Sequence, residues 1–496
     1  MIVMKFGGAA LASPASIRRV ASIVHSQRER SPVVVVSAIG DTTDQLLEIL
    51  ERASRAESYL AWKLQEEVKT YHFCMAEDLL DPVALEPIDQ YIRQTFRDLH
   101  VRMLEVCEGE CGVTPELRDW VASLGEKLSS RIVTAAFEES NLNAMHMDAT
   151  NLILTDENFG SAAPREWETY TRIRWSIPAA ARTHVVVLGG FIGATEDGRI
   201  TTLGRGGSDL TASIVGAAVK AEEIQVWKDV DGMLTWDPKI TSGGYRLRSI
   251  SYQEARELAQ AGATILHPET IAPAQRLRIP VIIRNIFRPE GEGTRIGVAR
   301  PGCANAVKSM VCKKNMTIVE LRSPSAGKNL SEYSPILEQV CRRQKAVTLI
   351  SMSDDVIYLA LEKNGIDPYF GFAPDQCVEA RLRTNQAIVT LVGQTLKRCN
   401  VIARLSAVLN QSSALVLPQD AESCAVHVVL SQENLDTFID ILQRAFLSDL
   451  DPAFFASPEL APNDQQIQKS PRTSVPQERR AFEMLTNRWA LKGIRS

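Results

Sequence analysis

Between Met1 and about residue 295, short apolar runs alternate with longer stretches whose apolar positions recur at helical spacing. Ile2-Val3-Met4, Val33-Val34-Val35-Val36 and Val185-Val186-Val187-Leu188 are unbroken runs; the last two end at small or turn-forming residues, Ser37-Ala38 and Gly189-Gly190. Runs without polar alternation fit strands buried on both faces of a mainly parallel sheet. Ile224-Gln225-Val226-Trp227 and Pro280-Val281-Ile282-Ile283 are further strand candidates. Helices are expected at Ala15–Gln27, Thr43–Arg55, Thr114–Ser140, Leu210–Val219 and Tyr252–Ala261. Such alternation predicts an α/β layered domain. The segment from about 57 to 120 is helix-rich and strand-poor, and reads as a helical elaboration on that core.

A second pattern follows the loop Arg288–Gly293. Strands shorten to Met316–Leu321, Val347–Met352, Val356–Leu361, Ala387–Val392, Ala414–Leu417 and Ala425–Leu430. Helical spacing falls at Tyr333–Gln344, Arg398–Gln411 and Gln432–Ala445. Two rounds of strand, helix, strand, strand predict two small ferredoxin-like α+β modules. Past Pro452 the chain turns rich in Pro, Gln and Ser and reads as extended or disordered. Phe482, Leu485 and Trp489 recur there at helical spacing, as a terminal helix docking on the body or, alternatively, binding a partner.

Composition changes this picture little. With 496 residues, two to four domains are expected. The charge of −5, from 55 basic and 60 acidic side chains, gives no electrostatic reason for a nucleic-acid or acidic-membrane partner. No run approaches the roughly 18–20 apolar residues that span a bilayer. The N-terminus enters a strand at once, so no secretory leader is expected. Nine cysteines without a Cys-x-x-Cys pair point to ordinary thiols in the reducing cytoplasm. The seven histidines form no metal-ligand spacing, His267 reads as structural, and no Gly-x-Ser-x-Gly elbow is present, which sets aside zinc chemistry and acyl hydrolysis.

Four stretches carry candidate chemistry. Lys5-Phe6-Gly7-Gly8 follows a strand; paired glycines let backbone N–H groups approach an anion, and Lys5 could neutralise phosphate charge. Alone it is more often a plain turn. Thr201–Asp209 packs three glycines, Arg205, Ser208 and Asp209 just before a helix, an anion cradle whose Arg205 could fork onto a carboxylate. Its bland alternative is helix capping by Ser208 and Asp209. Ser123–Ser130 places Glu126 mid-helix, by default a solvated residue. The preceding Gly125 costs about 1 kcal/mol of helix propensity, a hint of close backbone approach; a carboxylate there could hold a substrate ammonium. Trp227–Gly232, with Asp237-Pro238-Lys239 after it, is an acidic surface turn or a nucleotide edge in a βα loop.

In this order, together with Val-Val-Ser-Ala at 35–38, Thr43, Gly190-Phe191-Ile192-Gly193 and Leu266-His267-Pro268, these stretches resemble the aspartokinases, in wording closest to plant-type monofunctional members. The likeness is strong over roughly 1–300 and loose over 310–445. It implies an amino-acid kinase three-layer sandwich at 1–297, with its helical elaboration at 57–120. Two ACT modules would follow at 308–450, sensing an end-product amino acid, and a Pro-rich tail at 451–496, largely disordered. It implies ATP and Mg2+, and phosphorylation of the side-chain carboxylate of L-aspartate to 4-phospho-L-aspartate, at the head of lysine, threonine and methionine synthesis. Carried over residue by residue, Lys5 would stabilise the transferring phosphoryl and Gly7 and Gly8 cradle phosphates. Arg205 would grip an aspartate carboxylate, Glu126 the ammonium, and Thr43 and Ser208 add hydrogen bonds. Asp209 would hold the phosphate-binding groups, while Lys228, Asp229 and Lys239 edge the nucleotide. A homodimer or higher homo-oligomer through the ACT modules is also implied.

The chain departs from that pattern in places. Ala9-Ala10 replace hydroxyl residues usual after Lys-Phe-Gly-Gly, Ala263-Thr264 replace Ala-Lys, and Leu234 stands where a tyrosine is common. Val347-Thr348 stands where lysine-responsive members tend to carry Val-Asp, and the loop Ser325–Tyr333 and the run Leu417-Pro418-Gln419-Asp420 also differ. Lysine, threonine or no effector at all therefore stand as alternatives. Two rival readings survive: a kinase of the same fold acting on another carboxylate, and a catalytically weak amino-acid-sensing subunit.

Overall fold

The computed structural model describes residues 1–109, 111–236, 244–263, 267–322, 338, 347–352, 356–362, 379–394, 401–409, 414–417 and 423–456. They fall into two compact units, the first built from Met1–Asp231 and Thr270–Glu292, the second from Gly232–Glu269 and Gly293–Pro458.

The first unit contains β1 (Ile2–Phe6), β2 (Pro32–Val36), β3 (Ala144–Met147), β4 (Val185–Gly189), β5 (Ile192–Ala194), β6 (Ile200–Thr202) and β7 (Ile224–Lys228). β8 (Arg246–Leu247) and β9 (Ser249–Ser251) belong to the second unit, and β10 (Val281–Asn285) returns to the first. Within the first unit the strands lie in the order β3-β4-β2-β1-β7-β10, every neighbouring pair parallel. All five residues of β1, β2 and β4 are buried, so the unbroken apolar runs have the cause proposed for them: both sheet faces are covered. β5 and β6 form a separate antiparallel hairpin.

The helices are α1 (Gly8–Leu11), α2 (Pro14–Ser26), α3 (Thr42–Ser54), α4 (Ser58–Leu79), α5 (Pro82–Cys107), α6 (Pro115–Glu139), α7 (Glu166–Ala180), α8 (Gly207–Val219), α9 (Tyr252–Gln260) and α10 (Ala272–Arg276). Proline opens α2, α5 and α6, and the residue before it, Ser13, Asp81 or Thr114, caps the turn by accepting a backbone N–H. One sheet face, carrying Met4, Phe6, Val34, Val36, Val187 and Trp227, joins a core with α2, α3 and α6, over which α4 and α5 pack. The opposite face meets α8, where a Cβ on Gly216 would lie 3.8 Å from Val3. The helical elaboration is thus the pair α4–α5. One expectation needs correcting: α8 begins at Gly207, with Gly206 in left-handed conformation (φ 73°) as its N-cap. Ser208 and Asp209 lie inside its first turn and do not cap it.

In the second unit, β9 pairs in parallel with β11 (Thr294–Gly297). β12 (Ser309–Arg322), β13 (Val347–Met352), β14 (Val356–Glu362), β15 (Glu379–Val392), β16 (Leu415–Val416) and β17 (Ala425–Ser431) form one antiparallel sheet in the order β13-β14-β12-β15-β17-β16. The two expected modules share it. β12 and β15 each run 14 residues, far beyond Met316–Leu321 and Ala387–Val392. Polar stretches hid their first halves: the ladder runs on through Lys313 and through Arg381–Arg383, with register shifts beside Asn315 and Asn385, both at positive φ. Helices at Val401–Leu409 and Leu435–Phe446 match two of the expected three. The third, Tyr333–Gln344, lies apart from the single residue Glu338 outside the described residues, as does the loop Ser325–Tyr333. Of the Pro-rich tail, β18 (Phe455–Ala456) pairs with β8 and buries Phe454 and Phe455, while 457–496, including Phe482, Leu485 and Trp489, lie outside the described residues.

Trp227 is the largest fully buried side chain; it stacks on Phe6 at 5.9 Å and gives its indole N–H to Gln225. Trp227→Ala is expected to destabilise the first unit by about 3–5 kcal/mol in chemical denaturation; a loss below about 1 kcal/mol would mean the core closes over the gap.

Candidate active site

Ligands of open parallel sheets sit beyond the carboxyl ends of the strands, where strand order reverses. Here the chain leaves β1 toward β2 on one side and later returns to β7 on the other, so the reversal lies at β1 and β7. Lys5 stands near the end of β1 and Lys228 ends β7. Both ammonium groups face one carboxylate: Lys5 Nζ is 2.6 Å from Asp209 Oδ1 and Lys228 Nζ 3.9 Å from Oδ2. Lys5 and Asp209 are 9% exposed at their side chains, so the contact is screened little by solvent. Burial lowers the Lys228 pKa; Asp209 raises it and Lys5 lowers it further. Two cations on one anion leave a local excess of positive charge, suited to phosphate oxygens.

Backbone approaches bring the loops together. A Cβ on Gly8 would lie 2.6 Å from the Gly40 carbonyl and 2.9 Å from that of Ala38, and Gly40 N–H donates to Gly8 O at 3.1 Å. Only glycine permits that contact. Gly7 lies beside Lys5, its would-be Cβ 3.7 Å from Nζ. Ala10 is buried in the apolar core and Ala9 is exposed, so the methyl groups replacing the expected hydroxyls leave no buried partner stranded at Ala10. Tyr71 of α4 donates to Ala12 O at 2.9 Å, and His72 lies 3.4 Å from the Thr42 hydroxyl, so the helical elaboration braces both loops.

Glu126 is the second centre. It is 3% exposed, and its Oε2 has no hydrogen-bond partner among the described residues. Burial pushes its pKa up to about 8, against the pull of the Ala38 amide and of Lys5. The default reading of a solvated mid-helix acid is overturned, and the Gly125 hint has its cause: a Cβ there would meet Ala38 Cβ at 2.7 Å and Thr43 Oγ1 at 3.5 Å. Thr43, half-exposed in the first turn of α3, is thereby beside Glu126's helix. Gly189 and Gly190 serve the same end: a Cβ on Gly189 would be 3.1 Å from Glu126, and one on Gly190 2.6 Å from Ser208 Cβ.

Arg205 lies between Gly204 (φ 74°) and Gly206 (φ 73°), exposed and without an ion-pair partner among the described residues. Ser208 is buried in the first turn of α8, whose free N–H groups and dipole favour an anion. Asp229 is exposed beside Lys228, and Lys239, like Asp237 and Thr264, falls outside the described residues. Sequence reasoning missed Asp119, 2% exposed on α6, which accepts Thr202 N–H at 2.7 Å, Thr202 O–H at 2.8 Å and Gly160 N–H at 2.9 Å. Its signal was available: it stands seven residues before Glu126, on the same helix face.

The family profile described as "Amino acid kinase family" matches residues 1–285. The chain belongs to the amino acid kinase family. Aspartokinase 1, chloroplastic, of Arabidopsis thaliana is 29% identical over 471 residues, covering 90% of this chain and 80% of that protein. Two crystal structures of Escherichia coli aspartokinase III are similar at 25% identity, covering 90% of this chain and all of theirs. One, with aspartate and ADP, gives a TM-score of 0.75, and one with lysine and aspartate 0.77. The mostly parallel sheet and the two ferredoxin-like modules are those of this amino acid kinase architecture with its regulatory half. No helix among the described residues is long and apolar enough to cross a membrane.

The buried Glu126 makes a stability prediction. Its folded pKa exceeds the ordinary 4.5, so the native state holds the proton more tightly, and this residue's contribution to stability falls as pH rises from about 4.5 to about 8. Glu126→Gln should therefore raise the denaturation midpoint at pH 8.5, with the gain shrinking toward pH 5; equal midpoints at both pH values would contradict a buried, strained carboxylate.

Proposed function

We propose that the protein is an ATP-dependent kinase of the L-aspartate side-chain carboxylate, yielding 4-phospho-L-aspartate. The observation that carries this is a buried, half-unpartnered carboxylate, Glu126, held within electrostatic reach of the Lys5–Asp209–Lys228 cluster. A seat for an ammonium next to a seat for phosphates is what joining an amino acid to ATP requires. The relatives named aspartokinase, and the related enzyme holding aspartate and ADP, support the substrate pair.

In this reading the reaction is one of positioning and charge neutralisation. A side-chain carboxylate oxygen forms the new bond to the γ-phosphorus, the bond from that phosphorus to the bridging oxygen breaks, and ADP leaves. The nucleophile is already ionised, so no proton has to move. Lys5 meets the transferring phosphoryl, Gly7 and Gly8 offer backbone N–H groups, and Lys228, Asp229 and Lys239 edge the nucleotide. Asp209 fixes the two lysines. Glu126 takes the substrate ammonium, Arg205 its α-carboxylate, and Thr43 and Ser208 supply hydrogen bonds. Bound Mg2+ would supply further neutralisation of the phosphate charge.

The reading includes a catalytic domain at 1–297, tandem ACT modules at 308–450 with an amino-acid effector, a tail from 451, a homodimer or larger homo-oligomer, and a cytoplasmic setting. A related structure holds lysine, so lysine and threonine are the effectors to compare.

The test is MgATP turnover with L-aspartate, trapping the acyl phosphate with hydroxylamine. Wild type should give aspartate-dependent hydroxamate, and Lys5→Ala should lose about 10²–10³-fold or more. Product from another carboxylate instead would reassign the substrate, and aspartate binding without product would leave a sensing subunit. Because Glu126 must be ionised to hold an ammonium, aspartate affinity should weaken as pH falls below about 8, and calorimetry near pH 7 should register proton release on binding. Affinity flat between pH 6 and 8.5 would remove Glu126 from the ammonium seat.

A further inference from the structure

Asp119 and Glu126 lie seven residues apart on α6. At 3.6 residues per turn that is two turns, so both carboxylates share a face, about 10 Å apart along the axis. Both are buried, but they are used differently. Glu126 keeps an unpartnered oxygen, whereas both Asp119 oxygens are engaged: Oδ2 by the N–H groups of Thr202 and Gly160, Oδ1 by the Thr202 hydroxyl. Thr202 ends β6 and is held from its other side as well, its carbonyl accepting Ala162 N–H at 2.9 Å. Two residues later comes Gly204, whose would-be Cβ lies 3.2 Å from Gly160 O and from Ser161 Oγ. The Gly204-Arg205-Gly206 turn is therefore seated on the very segment that Asp119 clamps. Arg205 itself is exposed, with no partner among the described residues to fix it.

We propose that Asp119 is a positioning residue for Arg205, so that one rigid helix sets the separation between the carboxylate-gripping arginine and the ammonium seat at Glu126. The inference rests on the reading that Arg205 and Glu126 hold the amino-acid substrate. Its chemistry is geometric. In Asp119→Asn the amide oxygen can still accept both backbone N–H groups, and the amide NH2 can donate to the Thr202 hydroxyl, which is able to accept. Asp119→Ala loses all three bonds and strands the buried N–H of Thr202.

The experiment measures kcat, KM for aspartate, KM for ATP and thermal midpoint for Asp119→Ala, Asp119→Asn, Thr202→Val and Arg205→Gln in the full chain. Asp119→Ala should raise KM for aspartate about ten-fold or more while leaving KM for ATP near wild type, and Asp119→Asn should stay within about three-fold. Thr202→Val, which removes only the Oδ1 bond, should raise KM for aspartate by about three- to five-fold and keeps the test open if Asp119→Ala fails to fold. A merely structural Asp119 would lower the thermal midpoint and the active fraction with both KM values unchanged, and that result overturns the proposal. If Arg205→Gln raises KM for aspartate but neither Asp119→Ala nor Thr202→Val does, the positioning role fails while the substrate reading stands. If Arg205→Gln leaves KM for aspartate unchanged, the substrate reading itself fails.

Discussion

The contacts of Lys5 and Lys228 with Asp209 tie three elements together through side-chain charge: β1 supplies one lysine, β7 the other, and α8 the carboxylate between them. Buried ion pairs contribute little net stability, because desolvating both partners offsets most of their attraction. This one is better understood as an arrangement of charge. Asp209 restrains two cations that would otherwise repel. Removing the acid would leave buried positive charge uncompensated, and removing Lys5 would leave a buried carboxylate beside a more distant partner.

Around that contact, close packing of backbone does the work that larger side chains do elsewhere. Gly8, Gly125, Gly189 and Gly190 each lie where a methyl group would collide with a neighbouring segment. The β1 and β2 loops, α6 and α8 can therefore converge without intervening side chains, which leaves Glu126 dry. Burial raises the pKa of that carboxylate to about 8. The fold thus holds an unfavourable group, and the surrounding core of α2, α3 and α6 must compensate.

Much of this was legible in the chain. Strands buried on both faces announce themselves as unbroken aliphatic runs, and the helices expected at Ala15–Gln27 and Thr114–Ser140 are α2 and α6. The Gly-rich, Lys- and Arg-bearing stretches marked the site loops, because few other reasons collect such residues. What stayed hidden depends on tertiary partners. α8 begins inside Gly-Gly-Ser-Asp, where composition reads as loop, because Gly206 at positive φ can turn directly into a helix. A lone acid such as Asp119 looks the same solvated or buried until Thr202 and Gly160 are placed against it. The length of β12 and β15 was masked by polar residues on positions that stay exposed within a continuing ladder.

Those two long strands have a further consequence. β15 pairs with β12 on one edge and with β17 on the other, so neither module owns its sheet. A chain ending near residue 394 would keep β15 but strip its β17 partner, baring the row Ala387, Ile388, Val389, Leu391 and Val392 with open hydrogen-bonding groups. Such an apolar edge is a template for sticking to another chain. This half therefore resists piecemeal shortening: cutting away one module leaves the other with an aggregation hazard.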